Sequence, residues 1–152
     1  MKENSPICAR LVPAATASLT PLLSARSSLR LSGERAARKR AHWQAVAAAA
    51  CEQSGRNRLL DVRDQLTFQE YLGQVPEGAR WLLSLDPAAP PLRQRLAAQA
   101  APDPVILLSG PEGGLEPAEQ AAAQRAGFAP VTLGPRVLRA ETAPLAALAA
   151  LA

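Results

Sequence analysis

The sequence predicts an α/β fold with a largely parallel sheet. Three observations carry that expectation. Short apolar runs alternate with helical stretches between Trp81 and the end of the chain. Two of the runs, Val105 to Leu108 and Val131 to Leu133, close in turns that bear glycine, Ser109-Gly110 and Gly134-Pro135. The helices after them have a proline in the first turn, Pro117 and Pro144. Apolar strand, tight turn and helix is the pattern of a crevice at the carboxyl end of a parallel sheet. At 152 residues, one domain is expected.

Taken in order, residues 1–18 show no period and are expected to be poorly ordered. Leu19 to Leu23 reads as a short strand interrupted by Pro21. A long helix is predicted from Glu34 to Ser54. Trp43, Val46, Ala47 and Ala50 recur at helical spacing and are expected to face the core. Arg35, Arg38, Lys39 and His42 share another face. Arg35 and Lys39 repel at i, i+4, so that stripe gains most from an external anion. Gly55 is a helix stop. Thr67 and Glu70 read as a capping box opening a short helix. Trp81 to Leu85 is a strand ended by Asp86-Pro87, and Leu92 to Ala100 is helical. Gly127 closes the helix that Pro117 opens, and Thr142 is placed to cap the last one.

Composition narrows the class. Apolar residues make up 48% of the chain but aromatics only 3%, so an Ala-rich core of modest stability is expected. No apolar run is long enough to span a bilayer, and no secretory signal is visible. Cys8 and Cys51 have no metal-ligand spacing, and a reducing cytoplasm suits them. Net charge is +4, unevenly spread. Residues 26–63 hold nine Lys/Arg against Glu34, Glu52 and Asp61, a local +6. Residues 64–152 hold six against nine acids, a local −3. Such segregation suits docking on a phosphate backbone.

Two blocks at neighbouring strand ends carry the chemistry. One is Ser109-Gly110-Pro111-Glu112-Gly113-Gly114. The other is Leu133-Gly134-Pro135-Arg136-Val137-Leu138-Arg139-Ala140-Glu141-Thr142-Ala143. Glycines let a ligand approach the main chain closely. The first block alone marks only a tight turn. With the second at its distance, and with Glu52-Gln53-Ser54-Gly55-Arg56 preceded by Trp43, the chain resembles the SPOUT RNA methyltransferases. Within them it resembles the RsmE family, which methylates N3 of a uridine in 16S ribosomal RNA. The resemblance runs from about Leu19 to the end.

The resemblance implies a SPOUT-type trefoil-knotted methyltransferase domain over residues 19–152. It also implies a domain incomplete at its N-terminal edge and lacking the family's β-barrel RNA-binding domain. S-adenosylmethionine is the implied cofactor, held by backbone groups of Ser109, Gly110, Pro111, Glu112, Gly113, Gly114, Leu133, Gly134, Val137 and Leu138, with the turn after Leu85 as a third wall. Arg139 and Arg136 are the candidate cations for a developing uracil anion. Glu141 and Glu112 match in position, with a capping or orienting role as open as a base role. Arg26, Arg30, Arg35, Lys39, Arg56 and Arg58 are candidates for contact with 16S ribosomal RNA. A homodimer built partly on the apolar last helix is expected. A non-catalytic remnant, acting as an RNA-binding or dimerising fragment, is the second reading.

Overall fold

The computed structural model describes residues 7–12, 15–27, 32–98 and 104–151. Among the described residues seven strands form one sheet: β1 (Ile7–Val12), β2 (Ala15–Leu23), β3 (Asp61–Val62), β4 (Leu66–Thr67), β5 (Ala79–Leu83), β6 (Val105–Ser109) and β7 (Ala129–Val131). The helices described beside it are α1 (Gly33–Gln53), α2 (Phe68–Leu72), α3 (Leu92–Ala98), α4 (Pro117–Arg125) and α5 (Thr142–Leu151). The strand order is β3-β2-β1-β6-β5-β7, with β4 continuing the outer edge of β2 beyond β3. The pairs β5–β6, β5–β7, β2–β3 and β2–β4 are parallel. β1 is antiparallel to both β2 and β6, so among the described strands it runs against the rest. The largely parallel sheet is therefore found, with one reversed strand inside it.

That strand corrects the reading of residues 1–18. Ile7–Val12 lies mid-sheet, with Ile7 opposite Ser109 and Leu11 opposite Val105. β2 begins at Ala15 and passes through Pro21 without a break. The sequence hid β1 because Ala9 and Arg10 interrupt its apolar run, leaving no period of two. Expected contacts at Arg30 and the end of the helix at Ala100 lie outside the described residues.

The core has two halves, one on each face of the sheet. Leu82, Ile106 and Leu108 point to one side, where Phe68 and Tyr71 of α2, Ala123 of α4 and Phe128 cover them. Trp81, Val105 and Leu107 point to the other, beneath Leu92 of α3 and Ala147, Leu148 and Leu151 of α5. Burial on both faces explains why β6 is apolar without alternation. The predicted capping box is present: Glu70 N–H donates to Thr67 Oγ1 at 3.2 Å, and Thr67 N–H to Glu70 Oε2 at 2.8 Å. Hydrogen bonds from the Thr67 side chain and backbone hold the Glu70 carboxyl below the usual carboxylate range. Its stabilising contribution is thus present at neutral pH and lost as pH falls through that lowered value.

α1 departs from expectation. None of its residues is buried, and Val46 is 50% exposed. The helix sits against β3 through polar brackets. Arg40 Nε donates to the Val62 carbonyl at 2.8 Å, Gln44 Nε2 to Leu60 O at 2.8 Å, and Val62 N–H to Gln44 Oε1 at 2.9 Å. The expected core face is not formed: Trp43 and Ala47 are half-buried, while Val46 and Ala50 are exposed. Among the described residues no helix is long and apolar enough to cross a membrane.

Phe128→Ala is expected to cost roughly 3–5 kcal/mol, as for other buried aromatics, while Val46→Ala stays within about 0.5 kcal/mol. Urea unfolding of the two variants checks this. Comparable losses would show that α1 is packed rather than bracketed. For the cap, Glu70→Gln should flatten the fall of stability in acid, read from unfolding midpoints across the carboxylate range.

Candidate cofactor site

Strands β5, β6 and β7 end side by side, and their loops enclose the site. After Ser109 the chain turns at once. A Cβ on Gly110 would lie 3.3 Å from both Leu115 N and Leu115 Cγ, so this turn closes only with glycine or with a shift of backbone. Gly114 N–H donates to Pro111 O at 2.8 Å, and Gly114 has φ +68°, the left-handed region. Pro117 then opens α4, with Glu116 N–H on Glu119 Oε2 at 2.9 Å. At the neighbouring ends, Ser84 N–H bonds Val131 O at 2.9 Å, and Leu92 N–H bonds Thr132 O at 2.8 Å. These bonds fold the segment from Ser84 to Leu92 over the end of β7.

The result is a cavity of about 170 Å³ against β5, β6 and α4, walled by Ser109, Gly110, Pro111, Glu112 and Gly114 on one side and Val137 and Leu138 on the other. A wider hollow of about 590 Å³ adjoins it, with Leu133, Gly134 and Arg136 in its wall. Leu83, Ser84, Leu85, Val137, Leu138 and Ala143 belong to both. The pair falls in the range of small-molecule sites, roughly 300–1,000 Å³. Leu85 is 70% and Val137 74% exposed, an apolar rim that a ligand would cover.

Most of the expected cofactor residues meet here, but not Gly113. It lines neither hollow. A Cβ at Gly113 would meet Arg26 Cδ at 3.3 Å, so a larger residue there pushes on Arg26 rather than filling the pocket. Arg26 itself, expected at RNA, donates from Nη1 to the Gly113 carbonyl at 2.6 Å and lies 3.9 Å from Glu116. Arg136 is in the outer wall. Arg139 and Glu141 are not brought to the cavity; they pair with each other at 3.9 Å on the surface. Arg35, Arg56 and Arg58 are exposed on or just beyond α1, and Lys39 Nζ stands 5.6 Å above the Trp43 ring. Cys51 ties the last turns of α1 to the segment before β3, its thiol donating to Arg56 O at 3.0 Å.

The turn after Leu85 does enter the walls, through Asp86 and Pro87, whereas sequence reasoning missed Ser84, Gln120, Ala140 and Ala143 in the inner wall and Pro91 and Arg93 in the outer one. Asp86-Pro87 was visible as a strand end. Gln120 carried no local signal, because its role depends on how α4 lies over the sheet.

Gly114→Ala is expected to cost about 1–3 kcal/mol through backbone strain alone, since a Cβ there meets nothing within 4 Å. Thermal unfolding reads it, and an unchanged midpoint would show that the loop relaxes freely.

Comparison with known proteins identifies the fold. The model of the RNA methyltransferase domain matches residues 7–152. The ribosomal RNA small subunit methyltransferase E of Synechocystis is 39% identical over 131 residues, covering 85% of this chain and 42% of that protein. The Bacillus subtilis protein of the same name is 33% identical over 138 residues, covering 86% and 53%. The chain spans about half the length of these relatives. Among solved structures, a Legionella pneumophila methyltransferase in complex with SAM superposes with a TM-score of 0.79 at 32% identity, covering 89% of this chain and 54% of that one. The methyltransferase E of Neisseria gonorrhoeae bound to S-adenosyl methionine gives 0.77 at 38%, with the same coverage. With a family match running from β1 through α5, the chain belongs to the RNA methyltransferase domain family.

Proposed function

We propose that this chain carries S-adenosylmethionine-dependent methylation of N3 of a uridine in 16S ribosomal RNA. The observation that carries the reading is the cavity at the strand ends, built by the two blocks that mark the resemblance. It fits the donor in kind: apolar walls at Leu83, Val137 and Leu138, main-chain groups at Gly110 to Glu112, and open space at Gly134, which has φ +129° and nothing within 4 Å of a Cβ. When bound, the donor supplies a methyl group on a sulfonium. The chain supplies placement and charge. Uracil N3–H is weakly acidic and must lose its proton before N3 can attack. Arg136, in the outer wall, is the cation of the matching block that would hold the negative charge that develops. Holding the base against the pocket accounts for much of the acceleration. Glu112 lines the inner wall together with Asp86, while Arg139 and Glu141 pair with each other outside both hollows.

On this reading the basic face of α1, with exposed Arg35 and half-buried Lys39, and the adjoining Arg56 and Arg58 meet the RNA backbone in the cytoplasm. The chain threads the trefoil knot of its family and pairs as a homodimer. α5 supports the pairing: Ala147, Leu148 and Leu151 are spent on the chain's own core, yet Leu145 is 65% exposed.

The direct test is methyl transfer. Labelled donor and unmodified small subunits should give 3-methyluridine on nucleoside digestion, with Arg136→Ala slowing transfer by about tenfold or more. No label in 3-methyluridine overturns the reading. Replacing Arg35, Lys39 and Arg56 by Ala should flatten the salt dependence of RNA binding by about one unit of slope per lost phosphate contact; an unchanged slope would leave that face merely solvated. For the dimer, Leu145→Asp should give a folded monomer in light scattering, whereas Leu148→Asp should unfold the chain. Wild-type chain already monomeric at high concentration would refute the pairing.

A further inference from the structure

We propose that Arg26 is a positioning residue for the cofactor loop, acting through one peptide plane between Gly113 and Gly114. The inference rests on the methyl-donor reading above and adds a residue to it. A peptide flanked by two glycines is the easiest in the chain to turn over, because neither side has a Cβ to resist. Here it is clamped at both ends. Its N–H donates to Pro111 O at 2.8 Å, and its carbonyl accepts from Arg26 Nη1 at 2.6 Å. Carbonyl and N–H of a trans peptide point in opposite directions, so fixing one fixes the other. Pro111, Glu112 and Gly114 line the cavity, while Gly113 faces away toward Arg26. The arginine therefore grips the loop from behind and sets the wall in front.

The grip is itself anchored. Arg26 lies in the turn after β2, and β1 separates β2 from β6 in the sheet. The turn spans that gap. Ser27 N–H bonds Ser24 O at 3.1 Å and Ser24 N–H bonds Ser27 Oγ at 2.8 Å, making it rigid. Ala25 N–H then donates to Glu119 Oε1 at 2.8 Å, while the other oxygen of that carboxylate holds Glu116 N–H. Arg26 Nε stands 3.9 Å from the Glu116 carboxylate. One turn thus grasps the start of α4 and the glycine loop together.

Gly113 offers a second handle. It does not sit in the left-handed region, so Ala is compatible with its backbone, and the added Cβ would press on Arg26 Cδ at 3.3 Å. Arg26→Ala removes the grip, while Gly113→Ala displaces it without changing charge. Titration calorimetry with S-adenosylmethionine on wild type, both single variants and the double variant tests the proposal. Arg26→Ala is expected to weaken binding about tenfold, the size of one charge-assisted hydrogen bond. Gly113→Ala should weaken it less, with its unfolding midpoint unchanged. The double variant should be no weaker than Arg26→Ala, because both changes act on one contact. Unchanged affinity in both single variants, or strictly additive losses, overturns the proposal. So does an Arg26→Ala chain that keeps its cofactor affinity while its RNA salt slope drops by about one, the mark of a phosphate contact. If Arg26→Ala does not fold, Gly113→Ala decides alone: weakened binding supports the grip and unchanged binding overturns it. A wild-type chain that takes up no S-adenosylmethionine overturns the methyl-donor reading instead, a result separable from the others.

Discussion

Burial of β6 on both faces is the constraint on which the rest of the molecule depends. Each of its five residues is buried, so the strand sits where two apolar layers meet. A strand so placed has no route onward except a sharp exit at its end. Ser109 and Gly110 supply that exit, and the glycine loop inherits its position from it. β5 and β7 run in the same direction, and their exits join the same crevice. The pocket is a consequence of three parallel strands ending together, as in other open α/β sheets.

The loops that form the pocket are held less by packing than by single hydrogen bonds. Ser84 N–H on Val131 O, Leu92 N–H on Thr132 O and Gly114 N–H on Pro111 O each pin one wall. Apolar area near the mouth, at Leu85 and Val137, is left uncovered. A binding site benefits from this division. A rigid sheet fixes where the walls begin, and short bonded turns fix their shape, while the unburied rim keeps its apolar area for a ligand or a second chain.

How much of this was legible in the sequence depended on whether the signal was local. The capping box at Thr67 and Glu70, the strand at Val105 and the proline-opened α4 all carry their cause within a few residues, and all are found. The two glycine blocks were legible for the same reason, since a turn needs its glycine in place. What failed was long-range. β1 is a strand only because β2 and β6 leave a slot for it. α1 meets the sheet edge at β3 through polar side chains, so the spacing of Trp43, Val46, Ala47 and Ala50 promised a burial that does not occur. Arg26 belongs to a basic stretch by sequence, yet it meets a carbonyl 87 residues away. Gln120 enters the wall only through the placement of α4.

On the proposed function, the loops after β6 and β7 hold one cofactor between them. Amide hydrogen exchange with and without S-adenosylmethionine tests it at residue resolution. Slower exchange is expected at Gly110 to Leu115 and at Leu133 to Leu138 together, with α1 unaffected. Protection confined to one loop, or appearing on α1 instead, would contradict it.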